Sequence, residues 1–395
     1  TKHKAGKKAR SYLREERKID ERLIEPFKIG FSPKDGVDLS NYLINKKKYR
    51  KEDLIEAGLA FYSGRRVVDF FRGRVMFPLF DHRDNVVGFS GRAIDENYSG
   101  GKYINTRDTL VYHKGSMFFG LNTAKEEIKK LDKAIIVEGE LDVISCFSAG
   151  VKNVVAVKGT ALTENQVALI SRFTNNICLC FDKDDAGYEA TRRSLPSLEK
   201  KGMNITTCIF EEAKDADEAI KKDPISFKKA IKKDVPIYDF IFSKTFTAFE
   251  KDKVYGKRKI SEELLPIFTK ISNEIVKEHY LKKLSLDLDV SLDALSKEAE
   301  KIEKKEIVKE EIKEVKKEKR DRREVLEEYL LALILQNADA KKIFERCLEI
   351  LKDYEFKIVS YQKITNFLAD YFKTNNTFDP KLFLKILPKE LATSF

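Results

Sequence analysis

From Lys133 onward the apolar residues gather into short unbroken runs. "KAIIVEG" (133–139), "VKNVVAV" (151–157), "NNICLCFD" (175–182) and "NITTCIFEE" (204–212) read as buried strands. Between them apolar positions recur at three- and four-residue spacing, which predicts helices. These are "ELDVISCFSAG" (140–150), closed by Gly150, and "TENQVALISRF" (163–173), capped by Thr163. "AGYEATRRSLPSLEKKG" (186–202), interrupted at Pro196, and "DADEAIKK" (215–222) follow. Continuous apolar strands alternating with amphipathic helices predict a parallel sheet covered on both faces. Ligands of such sheets bind beyond the carboxyl ends of the strands.

Upstream the periods are mixed. "ARSYLREERKIDERLIEPFKIGF" (9–31) is basic and helical, and "GRVMFPLFDHRDNVVGFSGRAI" (73–94) reads as a hairpin with a polar turn. Residues 99–121 form a glycine-punctuated loop with aromatics, and 122–131 a helix capped by Asn122 or Thr123. Past Pro236 the pattern is helical. Residues 297–323, almost wholly Lys, Glu and Arg, read as a linker or a solvated helix with i,i+4 pairs. "EVLEEYLLALILQ" (324–336) restarts a globular unit. The expected class is α/β plus all-α. It comprises a mixed α/β amino-terminal subdomain, a parallel-sheet subdomain, a helical bundle and a helical C-terminal module.

A chain of 395 residues holds two to four domains by size. Its 76 basic against 65 acidic residues give a net charge of +11. Gathered on one face, that excess suits a polyanionic partner; dispersed, it is a solvated lysine-rich surface. The five cysteines form no C-x-x-C pair and only four histidines are present, so no zinc site of normal spacing can be built. Cys178 and Cys180 alternate with apolar residues and read as core thiols of a protein in a reducing cytosol. No apolar stretch of about 18 residues occurs, which argues against a membrane role.

The strand ends carry acid. The first ends in Glu138, with Asp142 a helical turn later; the third ends in Asp182 and Asp184; the fourth leads into Asp215 and Asp217. One such residue is ordinarily a helix cap, the reading given to Asp185. Six on one rim repel one another unless protonated or bound to cations. Oxygen ligands without His or Cys select Mg²⁺ or Mn²⁺.

A Glu-Gly after the first strand, an Asp soon after, and an Asp-x-Asp before a helix resemble the Toprim pattern of primases, topoisomerases and some nucleases. The upstream "RVMFPLFDHRDNVVGFSGRAI" and "KYINTRDTLVYHKGSMFFGL", followed by "EGELD", "VKGTALTENQ", "FDKDDAG" and "DADEAI", resemble the RNA polymerase domain of the bacterial replicative primase, the DnaG type. The resemblance covers about residues 9–290. It departs from the family at Lys183, where glycine is usual, at Ala216 for proline, and at Lys158. It starts past the family's amino-terminal zinc-binding domain, so no zinc is expected in this chain.

The resemblance implies DNA-directed RNA primer synthesis on single-stranded DNA from ribonucleoside triphosphates, assisted by Mg²⁺ or Mn²⁺, with an RNA–DNA primer duplex as product. Glu138, Asp182 and Asp184 are the expected catalytic ligands, with Asp142, Asp215 and Asp217 as further metal-site residues; Glu138 is alternatively a proton-transfer group. Arg17, Arg74, Arg92, Lys102, Asn105 and Lys114 are the expected template- and nucleotide-binding residues. Tyr103 and Tyr112 are either base stackers or core residues. The expected divisions are 1–131, a basic α/β subdomain; 132–235, the Toprim catalytic subdomain; 236–296, a helical subdomain; 297–323, the charged segment; and 324–395, a helical helicase-interaction module. The alternatives are another Toprim enzyme, a topoisomerase or nuclease, or a fragment acting mainly in helicase binding. No tyrosine motif demands a topoisomerase, and no G-x-x-x-x-G-K-[ST] is present for a nuclease's ATPase.

Overall fold

The computed structural model describes residues 6–95, 101–159, 161–210, 212–318, 322–337, 339–352 and 354–392. The chain divides into two units, Thr1–Glu300 and Lys301–Phe395.

The first unit opens with the helical turns Lys7–Ser11 and Tyr12–Glu16, followed by strands β1 (Gly30–Ser32), β2 (Ala60–Ser63), β3 (Arg66–Asp69), β4 (Arg74–Phe80), β5 (Val86–Ala93) and β6 (Tyr103–Asn105). Strands β1, β4, β5 and β6 form an antiparallel sheet in the order β1-β4-β5-β6, while β2 and β3 pair separately. The expected hairpin is β4–β5, and every residue of β4 is buried, as its unbroken apolar run implies. Pro78 is tolerated in this inner strand because β1 pairs only with Arg74–Met76 and asks for no N–H at position 78. Strand β6 falls inside the segment expected to be loop. Three residues between glycines carry too little pattern to show a strand.

The second sheet contains β7 (Ala134–Val137), β8 (Val154–Ala156), β9 (Asn176–Leu179), β10 (Asn204–Thr207) and β11 (Val235–Pro236), in the order β11-β10-β9-β7-β8. It is parallel except for the short edge strand β11. Helix Glu164–Ile170 begins at Thr163, whose hydroxyl accepts from Gln166 N at 3.1 Å, as its sequence predicts. Two expectations fail. Helix Leu121–Leu131 starts from Gly120, in the left-handed region at φ 83°, rather than from Asn122 or Thr123. Helix Asp185–Lys200 continues through Pro196 without a break.

The two sheets are tied together. Phe119 and Ala156 exchange backbone hydrogen bonds of 2.9 and 3.0 Å, and buried Gln166 donates to Met117 O and Val157 O. These bonds fix the loop after β6 on the edge of the parallel sheet. Helices Ile237–Ala248, Val254–Phe268 and Glu274–Leu288 complete the unit. Helix Leu292–Glu318 runs through most of the charged segment, so its backbone is helical as far as Glu318; the side chains of 306–321 lie outside the described residues.

The second unit is helical, with a core of Leu331, Ile334, Phe344, Leu368, Phe372 and Phe383. Its buried Glu327 accepts from Lys357 N at 2.8 Å, Ile358 N at 3.2 Å and Tyr354 OH at 2.8 Å, which ties a helix to the loop before Val359.

Candidate active site

Strands β7 and β9 adjoin in parallel with Ile136 opposite Leu179, so their carboxyl ends lie level. Glu138 and Asp182 therefore meet at the rim, where Asp182 N donates to Glu138 Oε1 at 3.1 Å. Behind them Gly139 precedes helix Glu140–Ser148, and its N–H donates to Asp142 Oδ2 at 3.1 Å. Asp215 caps helix Ala216–Lys222 by accepting from Glu218 N at 2.7 Å. Its Oδ2 lies 3.8 Å from the Lys214 ammonium.

These groups form one wall of a cleft of about 350 Å³. Arg17, Arg92, Lys102, Tyr103 and Asn105, from the first helical turns and strands β5 and β6, form the facing wall. Arg92 lies over the rings of Tyr12 and Tyr103, 5.4 and 5.0 Å from their centroids, and donates to the Tyr103 hydroxyl. Asn105 lines the cleft with Oδ1 buried and without a hydrogen-bond partner.

Crowding of acid shows in its protonation. Asp182 is pushed up to about 7 by burial, then by the charges of Glu138, Asp215 and Asp184. Asp142 is pushed up to about 8 by burial and by Asp215, Asp182 and Asp217. Glu138 is raised by burial, with Asp184 and Asp215 adding repulsion against the relief from its Asp182 N–H bond. A cation among these oxygens removes that repulsion, and hard oxygen donors are the set that Mg²⁺ or Mn²⁺ prefers. The donors present fit the group.

Not every expected residue has the expected place. Asp184, rather than Asp185, caps helix Asp185–Lys200 by accepting from Gly187 N at 2.8 Å. It is exposed beside the cleft rather than lining it, and reaches Glu138 and Asp182 through its charge. Asp217 lines the cleft, but its oxygens accept from Ser145 Oγ at 2.6 Å, Lys221 Nζ at 2.7 Å and Arg17 Nη1 at 3.2 Å. Three of its roughly four lone-pair sites are taken, two of them by cations, so it positions Arg17, whose Nε also donates to Tyr12 OH at 2.7 Å. Arg74 is 2% exposed and donates to the carbonyls of Gly91, Lys102 and Gly101 at 3.1, 3.1 and 2.8 Å. That geometry removes it from the template-contacting set and makes it a clasp between β4, β5 and the segment leading into β6. Tyr112 is 1% exposed, a core residue and not a stacker. Lys114 is exposed on a short 3-10 turn and does not line the cleft.

Sequence reasoning missed the cleft floor. Lys158, at φ 55°, and Glu140 are both buried there and ion-paired. Glu140 lies in "EGELD" and Lys158, one of the departures, in "VKGT", yet nothing in either motif shows that they meet. Lys214, just before Asp215, also lines the cleft and was signalled only by its place next to "DADE".

Comparison with known proteins decides the family. The model described as DNA primase catalytic core, N-terminal domain, matches residues 1–125, a Toprim-like model matches 135–220, and the DnaB-helicase binding domain of primase matches 238–293. The chain belongs to the DnaG-type primase family. It is 33% identical to a DNA primase of Clostridium acetobutylicum over 71% of its own length and 46% of that protein. It is 30% identical to the Halalkalibacterium halodurans DNA primase over 97% of this chain and 65% of that protein. The chain thus spans roughly half to two thirds of these relatives. Among solved structures it is similar to a DNA primase domain from Pseudomonas aeruginosa, with TM-score 0.67, 28% identity, and 76% and 94% of the two chains covered. It is also similar to a DnaG primase catalytic domain bound to ssDNA, with TM-score 0.63, 27% identity, and 73% and 91% covered. The helicase-binding model falls on the three helices before residue 300 and not on 324–395, where sequence reasoning places that module. Among the described residues no helix is long and apolar enough to cross a membrane.

Proposed function

We propose that the cleft synthesises RNA primers on single-stranded DNA, joining the 3′-hydroxyl of one ribonucleotide to the α-phosphate of the next triphosphate with release of pyrophosphate. The observation that supports this most is the meeting of Glu138 and Asp182 at one rim, opposite a wall of Arg17, Arg92 and Lys102. Glu138 and Asp182 would hold a divalent cation, with Asp142, Asp184 and Asp215 around it. When bound, Mg²⁺ or Mn²⁺ supplies charge neutralisation at the phosphates and a lowered pKa for the attacking hydroxyl.

The chain's own residues do the rest. Arg17 presents a guanidinium whose position is set by Asp217 and Tyr12. Arg92 is fixed between two tyrosine rings, so little orientational entropy remains to be lost when it meets a phosphate. Lys102 and Lys214, exposed at the mouth, attract the triphosphate, and the exposed Lys114, outside the cleft lining, would add to the positive charge available to a template backbone. Asn105 offers its unsatisfied oxygen to a ribose hydroxyl or a base edge. The product is an RNA–DNA primer duplex, and the helical residues past 236 meet the replicative helicase at the fork, in the cytoplasm.

Labelled ribonucleotide incorporation on single-stranded DNA with Mg²⁺ or Mn²⁺ tests the reading. Incorporation is expected, and Asp182→Asn should lower it by about 10³-fold. Strand cleavage or relaxation in place of incorporation would overturn it.

A further inference from the structure

The notable cluster outside the cleft is sulfur. Cys178 on β9 and Cys180 just past it point to the same face, since side chains alternate along a strand. The β9–β10 ladder sets Cys178 opposite Thr206 and Leu179 opposite Thr207, which brings Cys208 level with Cys180 one step beyond its end. Cys178 Sγ lies 3.2 Å from Cys208 Sγ and 3.6 Å from Cys180 Sγ, and all three sulfurs lie within 4.8 Å of one another. Exposures are 0, 3 and 9%. Among the described residues this is the one trio of His, Cys, Asp or Glu whose ligand atoms converge so closely.

We propose that Cys178, Cys180 and Cys208 form a three-sulfur binding site for a thiophilic, low-coordinate cation of the monovalent copper class. A metal–sulfur bond of about 2.3 Å in a trigonal plane requires sulfurs about 4.0 Å apart, so Cys178 needs to move outward by less than about 1 Å from its two neighbours at 3.2 and 3.6 Å. Soft thiolates select such cations over Mg²⁺ and Mn²⁺, so this site and the carboxylate rim sort their metals by ligand chemistry. Among the described residues no fourth His, Cys, Asp or Glu joins the trio, which favours a three-coordinate ion over tetrahedral zinc. Entry is available because Cys208 lines a cavity of about 70 Å³ shared with Asp182, Asp184 and Phe240. Each cysteine that binds gives its thiol proton to solvent as its metal–sulfur bond forms, so loading releases protons.

The test uses the reduced full chain under anaerobic conditions, titrated with Cu(I) in competition with a chromogenic Cu(I) chelator. One Cu(I) per chain should be retained, and X-ray absorption at the copper edge should report sulfur ligands only. The Cys180→Ala/Cys208→Ala double variant should lose affinity by more than about 100-fold, beyond what changes outside the ligand set cost. Cys347→Ala should keep it. Complete loss of copper to the chelator by the unaltered chain, or nitrogen and oxygen ligands at the edge, would overturn the site. The absorption measurement on the unaltered chain decides even if the double variant does not fold.

Discussion

Asp182, past the end of β9, and Asp217, in the first turn of helix Ala216–Lys222, both line the cleft, and their partners separate their roles. Asp217 is surrounded by Ser145, Lys221 and Arg17, while Asp182 faces other carboxylates. Asp217→Asn should therefore raise the KM for triphosphate or template about tenfold, since a charge-assisted bond to Arg17 is lost. Mn²⁺ affinity, measured by titration calorimetry, should stay within about twofold. An equal loss of Mn²⁺ affinity would return Asp217 to the ligand set. Arg74→Met should remove three hydrogen bonds from the amino-terminal sheet, with Lys102 O keeping only its bond from Ala93 N, at a cost of about 3 kcal/mol in denaturant unfolding. A stable variant with weakened template binding would contradict the clasp. The sequence could name both residues because type and order are visible along a chain. It could not rank them, because burial of Arg74 and the bonds that close around Asp217 come from segments up to 200 positions away.

At the scale of elements, the parallel sheet was legible because unbroken apolar runs and amphipathic helices obey distinct periods. The adjacency of β7 and β9, which makes the site, follows from the crossover order and not from any local pattern. Caps and edges were less legible. Asp184 and Asp185 are equivalent as capping residues until the backbone selects one, and β11 is two residues long. The helix after the acidic loop also packs closely on it. A Cβ at Gly187 would stand 2.1 Å from the Asp182 carbonyl oxygen, a backbone atom that can yield only by moving the strand end. Gly187→Ala should thus cost about 1–3 kcal/mol of stability by overpacking. It should reduce primer synthesis far more than that, because the displaced residue is Asp182. Wild-type turnover in this variant, measured beside its unfolding curve, would show that the loop tolerates the shift.

At the scale of the whole molecule, the acidic rim makes stability depend on both pH and cations. Asp182 keeps its proton to about 7 in the folded chain against an ordinary value of 3.8, and Asp142 to about 8. Between those limits the folded state binds more protons than the unfolded one, so stability falls as pH rises through that window and levels off above it. A divalent cation that binds only the folded rim opposes the fall, and its binding displaces those protons. The cation-free chain should therefore melt at progressively lower temperature from about pH 5 to pH 8, whereas saturating Mg²⁺ should flatten the trend. Asp182→Asn should remove part of the slope and part of the Mg²⁺ response together. Calorimetry in two buffers of different ionisation enthalpy should find proton release on Mn²⁺ binding near pH 7 and little near pH 9. A melting temperature indifferent to pH, with no proton release, would mean that the carboxylates do not share one electrostatic site. The second unit provides an internal control: it has its own core and contributes none of the acids. Removing 301–395 should therefore leave the pH slope and Mn²⁺ binding unchanged while testing which helices carry the proposed helicase binding. Retained helicase binding would assign it to 238–293, and its loss to the terminal unit.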